Sequence, residues 1–388
     1  MIPYGKQDIN EQDIDAVVKV LKSDWLTQGP QVPLFEQAVA DKCQADHAVA
    51  VNSATSALHI ANLALGVGQG DIVWTSPITF VATANSALYC GAKIDFVDID
   101  LSSGNMSVTA LQEKLQWAKQ HNCLPKVVIP VHLAGQSCDM QAIAKLAKEY
   151  GFAIIEDASH AVGGQYKGKP VGSCQYSDIA IFSFHPVKII TSAEGGMAIT
   201  NNVELAKRMQ LFRSHGITSQ ADKMTEPSHG PWYYQQIDLG FNYRMTDLQA
   251  ALGLSQLSRI DEFIEQRNQL AKVYDDAFTD TLITTLTPTA YLISAYHLYL
   301  ILLPEADTQK HKQTIISLRD NGICAHVHYI PVHLQPYYQE LGFKLGDFPN
   351  AEQYYQRAIS LPLYPKLSSS DQQYIIEQVK AEQVKKSL

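Results

Sequence analysis

From residue 47 to 155 the chain repeats one pattern: a short apolar run, a turn, an amphipathic stretch, then the next apolar run. Residues 48–51, 72–74, 94–97, 127–131 and 152–155 read as buried strands. Residues 55–65, 79–89, 108–119 and 140–150 read as helices. Strands alternating with helices at this spacing imply βαβ units and a mainly parallel sheet covered on both faces. In such sheets ligands gather at the carboxyl ends of the strands, so the residues that end each apolar run are the ones to search for chemistry.

The flanks fit around this repeat. Residues 11–23 and 32–42 read as helices, joined by the loop Asp24-Trp25-Leu26-Thr27-Gln28-Gly29-Pro30. That loop is either a plain connector or a ligand-facing segment. A helix follows at 203–212. Thr246 with Gln249 forms a capping box for a helical pattern that runs to 277. Beyond it come strand signals at 295–303 and 323–329 and helical signals at 307–321, 350–358 and from 370 onward. The expected organisation is a large domain over 1–250 and a smaller α+β domain over 251–388. Gly66, Gly68 and Gly70 follow a helix rather than a strand, so they read as a helix end and not a dinucleotide fingerprint.

Composition excludes some partners. The formal net charge is −9, against a broad nucleic-acid or anionic-membrane surface. Six scattered cysteines, without zinc or redox spacing, predict reduced thiols and a cytoplasmic setting. Residues 72–92 carry no formal charge, but Pro77, Asn85 and several hydroxyl residues make them a strand and helix rather than a membrane span.

The chemistry centres on Lys188, in a loop between two apolar runs within residues 178–200. It is either a surface cation or a desolvated amine, nucleophilic and able to form a Schiff base with a carbonyl cofactor. Asp157 ends an apolar strand. It is either a cap for the next turn or a carboxylate that keeps a pyridine nitrogen protonated. Asn52-Ser53-Ala54-Thr55-Ser56 joins a strand to a helix, which is a plain N-cap or an anion site at a helix N-terminus. Phe80 is a core residue or a ring stacker. His326 and His328 share a strand face, as two zinc ligands would, but no third ligand is evident, and no metal is expected.

The phrases NSATSALH, SPITFVATANSA, EDASHAVGG, SFHPVK, AEGGMAIT, LFRSHG, GFNYRMTDLQAALGLSQL and HVHYIPVH occur in this order. Together they resemble the DegT/DnrJ/EryC-type sugar aminotransferases, over nearly the whole chain. The resemblance implies a fold-type I transferase dependent on pyridoxal 5′-phosphate (PLP). It implies that Lys188 forms the Schiff base with PLP, that Asp157 partners the pyridine nitrogen and that Phe80 stacks on the ring. Ala54, Thr55, Ser56 and Ser183 would hold the phosphate, and His160 would lie beside the ring. Asn242 would reach the phosphate of a neighbouring subunit, which implies a homodimer with shared sites. Tyr4, Asp24, Trp25, Leu26, Thr27, His326, Val327, His328 and Tyr329 would line a nucleotide-sugar site. The implied partners are L-glutamate, 2-oxoglutarate and a UDP-linked 4-keto amino sugar. Some relatives replace the lysine by histidine and act as dehydratases; Lys188 argues against that branch. A non-catalytic regulator on the same scaffold would need an added partner module, and none is visible.

Overall fold

The alternating apolar runs assemble into one seven-stranded sheet: β1 (His47–Val51), β2 (Ile72–Thr75), β3 (Lys93–Phe96), β4 (Val127–Ile129), β5 (Ala153–Asp157), β6 (Ile179–Ser183) and β7 (Gly196–Thr200). The computed structural model describes residues 1–286 and 292–384. Of the segment 251–388 expected as a smaller domain, 287–291 and 385–388 therefore lie outside the described residues. The strand order is β1-β7-β6-β5-β4-β2-β3. Neighbours from β3 across to β6 pair in parallel, and β7 runs against both β6 and β1. The reversal has a local cause. Parallel neighbours need a long crossover, whereas antiparallel ones can be joined by a loop. The chain returns from β6 into β7 without a helix, and Lys188 lies on that return.

Side-chain alternation explains the layering. Ile179 and Ile181 of β6 face one side of the sheet, with Val49, Val51, Ile155 and Ala198. Ala180 and Phe182 face the other, with Ala48, Ala50, Met197 and Ile199. Helices α1 (Glu11–Leu21) and α2 (Gln31–Cys43) precede β1, and α5 (Val108–Gln120) and α6 (Met140–Tyr150) follow β3 and β4. The first side is covered by α3 (Ala54–Ala64), α4 (Val81–Tyr89) and α7 (Val203–Arg213). The second takes Phe35 and Val39 of a helix at Gln31–Cys43, Ala250 and Leu257 of α8 (Asp247–Leu257), and Phe263 and Ile264 of α9 (Ile260–Phe278). Every residue of β6 and β7 is buried, as a strand covered on both faces requires.

Beyond α9 a three-stranded antiparallel sheet forms from Thr284–Thr285, Tyr299–Leu302 and Ala358–Leu361. It packs on Tyr274 and Phe278 of α9 and on Ile375, Ile376 and Val379 of the helix Ser369–Val384. Among the described residues, no helix is long and apolar enough to cross a membrane.

Three expectations are corrected here. The pattern from 246 to 277 is two helices, because the chain breaks at Ser258 and Arg259, where the Arg259 guanidinium pairs with Asp8 and Asp13. The run 323–329 is extended but forms no strand. Its β-pairing is limited to isolated bridges, Ile323 to Ile2 and His326 to Ser360, on its way to the sheet's ligand edge. The helix expected at 350–358 is Pro349–Tyr355, and Ala358–Leu361 is a strand.

Candidate active site

The strand ends converge on a cavity of about 950 Å³. Asn52, Ser53, Ala54, Thr55 and Ser56 reach it from the end of β1, Thr79 and Phe80 from beyond β2, Asp157 and His160 from β5, and Ser183 and Lys188 from β6. Tyr4, His326, His328 and Tyr329 also line it. The residues that end the apolar runs of the sequence thus lie together on one cavity.

Lys188 lies on the return loop. The loop is closed by the Phe184 N–H to the Gly195 carbonyl (2.9 Å) and the Ser192 N–H to the Phe184 carbonyl (3.0 Å). Its Nζ has no hydrogen-bond or ion-pair partner among the described residues. Burial pulls the amine down to about 8, and the negative charge of Asp157 opposes that pull. Such an amine is unprotonated in a useful fraction near neutral pH and can attack a carbonyl.

Asp157 is buried, and its carboxylate is held on both oxygens. Oδ2 accepts from the Thr83 hydroxyl at 2.7 Å, and Oδ1 from the Ser159 N–H at 3.2 Å. Further lone pairs remain for a donor in the cavity. Across from it, Ser53 caps α3 by accepting from the Ser56 N–H at 3.1 Å, while the Ser56 hydroxyl donates to Asn52 at 2.6 Å. The first N–H groups of α3 have no intrahelical acceptor, so this end suits an anion. Gly196, at the start of β7, makes the close approach possible. A Cβ there would lie 2.5 Å from Ala54 N and from Ser53 backbone atoms.

The remaining walls are rings. Phe80 is 59% exposed, an aromatic face bare on a cavity wall. His160 is buried, with Nε2 at 3.0 Å from the Tyr329 hydroxyl and Nδ1 without a partner among the described residues. Burial, then Lys188 and His328, push His160 well below the ordinary histidine value, so it is neutral. Tyr4 lies 5.4 Å from His326 and 5.3 Å from His328, ring to ring. His328 is pushed down to about 3 by burial, then by His326 and Lys188, and its Nδ1 meets the Ser360 hydroxyl at 2.7 Å. His326 and His328 do share a face, with rings 4.7 Å apart. Among the described residues, no three His, Cys, Asp or Glu side chains could hold a metal ion.

Other expected residues lie outside this cavity in a single chain. Asp24, Trp25, Leu26 and Thr27 are exposed. Their loop is pinned to α8, where the Asp247 N–H donates to the Leu26 carbonyl (3.0 Å) and the Asp247 carboxylate accepts from the Gly29 and Gln31 N–H groups (both 2.8 Å). Asn242 is exposed, with its carbonyl 3.5 Å from Asn52 Nδ2. Val327 is not part of the lining, unlike its two histidine neighbours.

Sequence reasoning passed over Thr79, Thr83, Ser159 and Gln249. No local pattern marks the three hydroxyl residues. Gln249 was legible as a capping residue, and it does accept from the Thr246 N–H (3.0 Å), but its Nε2 also donates to the Glu194 carbonyl (2.9 Å) on the rim of the return loop. Among the described residues, the assembled site holds an amine without a partner, a fixed carboxylate, a helix N-terminus whose first N–H groups are free, an exposed aromatic ring and an imidazole nitrogen without a partner. This set fits a flat, anionic ring that carries a carbonyl and a ring nitrogen.

Comparison with known proteins bears on that fit. The profile of the DegT/DnrJ/EryC1/StrS aminotransferase family matches residues 7–380. The UDP-4-amino-4,6-dideoxy-N-acetyl-beta-L-altrosamine transaminase of Campylobacter jejuni (strain 81-176) is 40% identical, over 97% of this chain and 96% of its own length. The spore coat polysaccharide biosynthesis protein SpsC of Bacillus subtilis (strain 168) is 41% identical, over 98% and 96%. Among solved structures, Helicobacter pylori PseC, described as an aminotransferase involved in the biosynthesis of pseudoaminic acid, superposes with a TM-score of 0.89 at 35% identity, covering 98% of both chains. The PLP form of the putative sugar aminotransferase Spr1654 from Streptococcus pneumoniae does so at 0.89 and 32%, covering 99% of both.

Proposed function

We propose, on the premise that this chain belongs to the DegT/DnrJ/EryC1/StrS aminotransferase family, that it moves the amino group of L-glutamate to C4 of a UDP-linked 4-keto-6-deoxy-N-acetylhexosamine. The class is plain: the chain is an enzyme, a sugar aminotransferase that depends on PLP. The observation that carries the assignment of roles is the meeting of Lys188 and Asp157 on one cavity, beside the α3 N-terminus and the bare face of Phe80.

In this reading Lys188 would hold the cofactor at its aldehyde carbon, and Asp157 would keep its ring nitrogen protonated. Ala54, Thr55, Ser56 and Ser183 would hold its phosphate, with Phe80 and His160 as its ring contacts. When bound, PLP supplies an electron sink for the carbon being deprotonated. Once the amino group of L-glutamate has replaced it on the cofactor, the freed Lys188 Nζ would take the proton from the amino-bearing carbon of L-glutamate. It would later deliver a proton to C4 of the sugar, after 2-oxoglutarate has left. Neutral His160 adds no second cation beside the ring. Tyr4, His326, His328 and Tyr329 orient the sugar and exclude water. Asp24, Trp25, Leu26, Thr27 and Val327 complete the nucleotide-sugar site. Asn242, exposed at the surface, serves the phosphate of a second copy in a homodimer.

The product in this proposal is UDP-4-amino-4,6-dideoxy-N-acetyl-β-L-altrosamine, a precursor of pseudaminic acid. The identity of 40% to the Campylobacter transaminase supports it. The similar identity of 41% to SpsC favours a second reading, another nucleotide-sugar 4- or 3-aminotransferase. The free cysteines are consistent with a cytoplasmic enzyme. Division into a large domain over 1–250 and a small one over 251–388 belongs to the same proposal. The test is incubation with a panel of UDP-4-keto sugars and L-glutamate, with products read by NMR. Amination of the L-arabino 4-ketose at C4 supports the first reading. Amination of a different panel member alone replaces it with the second.

A further inference from the structure

Two hydroxyls stand behind the carboxylate of Asp157. Thr83, in the first turn of α4, is 1% exposed, and Thr79, just before that helix, is 2% exposed. Thr83 Oγ1 lies 2.7 Å from Asp157 Oδ2 and 2.7 Å from Thr79 Oγ1. It also lies 3.2 Å from the Phe80 carbonyl. A hydroxyl has one proton to give, and an ionised carboxylate can only accept. If Asp157 is ionised, Thr83 must donate to it and has nothing left for Thr79. Thr79 must then donate to Thr83. Chemistry thus orders the protons in one direction, from Thr79 through Thr83 to Asp157. Hydrogen bonds to a charged acceptor are the strong ones, and each link of such a chain polarises the next. The Ser159 N–H, on the other oxygen, completes the grip.

We propose that Thr79 and Thr83 form a relay that fixes the Asp157 carboxylate in place as the partner of the cofactor's protonated ring nitrogen. Thr83 is the positioning residue, and Thr79 sets the direction of its hydroxyl. The proposal rests on the role given to Asp157 above. The competing role for the Thr83 hydroxyl is a bond to the Phe80 carbonyl that merely closes the start of α4. That role leaves the cofactor untouched.

Thr83→Val removes the hydroxyl at nearly constant shape, and Thr83→Ser restores it. The holoenzyme is loaded with PLP labelled with nitrogen-15 in the ring. The ring-nitrogen shift is followed against pH, and the PLP dissociation constant is measured by titration of the apoprotein. The relay predicts that Thr83→Val loses the ring proton at a pH about one unit lower than wild type. Its PLP dissociation constant rises on the order of tenfold, and Thr83→Ser returns both readouts to wild type. If Thr83→Val does not fold, Thr79→Val decides: a smaller change in the same direction supports the relay, and none overturns it. A Thr83→Val protein that titrates like wild type, while Asp157→Asn loses the proton, overturns the relay and leaves the Asp157 role standing. A wild-type ring nitrogen without a proton, or one unaffected by Asp157→Asn, overturns the Asp157 role and the relay with it.

Discussion

The titration of Lys188 gives the sharpest handle on the site. In the apoprotein the amine is lowered to about 8, chiefly by burial. An exposed lysine titrates near 10.4, so about one molecule in 2,500 carries a free amine at pH 7. At about 8 the free fraction at pH 7 rises to about one in eleven, a gain on the order of two hundredfold in reactive amine. Only the unprotonated amine attacks an aldehyde. The rate of PLP capture must therefore fall as pH drops below about 8 and level off above it. Stopped-flow mixing of apoprotein with PLP, followed through the visible absorbance from pH 6 to 10, measures this directly. We expect about a tenfold rise per pH unit at the low end and a plateau above about 8.5. A rate that keeps rising through pH 10 would show an ordinary, hydrated lysine and refute the desolvation argument. Stability follows the same linkage. Between about 8 and the ordinary lysine value the unfolded chain binds the proton that the folded chain has lost, so folded stability rises with pH across that window. The cost of the buried charge is full below about 8. Lys188→Met should thus raise the apoprotein Tm by about a degree or more at pH 7, with the advantage shrinking above pH 8.

Three further outcomes follow from the geometry. Gly196→Ala places a methyl 2.5 Å from Ala54 N, so it should cost about 1–3 kcal/mol in urea unfolding and weaken PLP binding, because the α3 start must shift. Phe80→Ala should leave apoprotein stability within about 0.5 kcal/mol, since the ring is 59% exposed, yet raise the PLP dissociation constant by about tenfold in a titration. Tyr329→Phe strips His160 Nε2 of its partner, and with Nδ1 already bare it should cost about 1–3 kcal/mol by denaturant unfolding.

The sheet was legible because its signal is local. Each strand of the repeat is a contiguous apolar run, and the helix expected at 140–150 forms over Met140–Tyr150 as read. Lys188, Asp157 and the α3 start were legible for a related reason: they end such runs, and a parallel sheet gathers the ends. What escaped depends on contacts distant in sequence. No Gly or Pro at Ser258 or Arg259 announces the helix break, and the pairing of Arg259 with Asp8 and Asp13 beside it is distant in sequence. Residues 323–329 have the composition of a strand, but the edge they pass offers only isolated bridges. Ala358–Leu361 is a four-residue strand just after a helix, too short for its period to register. Thr83 reads as one more polar residue at a helix start until the fold sets its hydroxyl 2.7 Å from Asp157. The loop holding Asp24, Trp25, Leu26 and Thr27 is tied to Asp247, far along the chain, and local pattern could not aim it.

The central claim is that the Lys188 amine is the group that takes the cofactor. Borohydride reduction of the PLP-loaded protein, followed by proteolysis and mass spectrometry, tests it in one step. The account predicts a phosphopyridoxyl group on the peptide containing Lys188 and none in Lys188→Ala. A label on a different lysine, or a labelled Lys188→Ala protein, would contradict it.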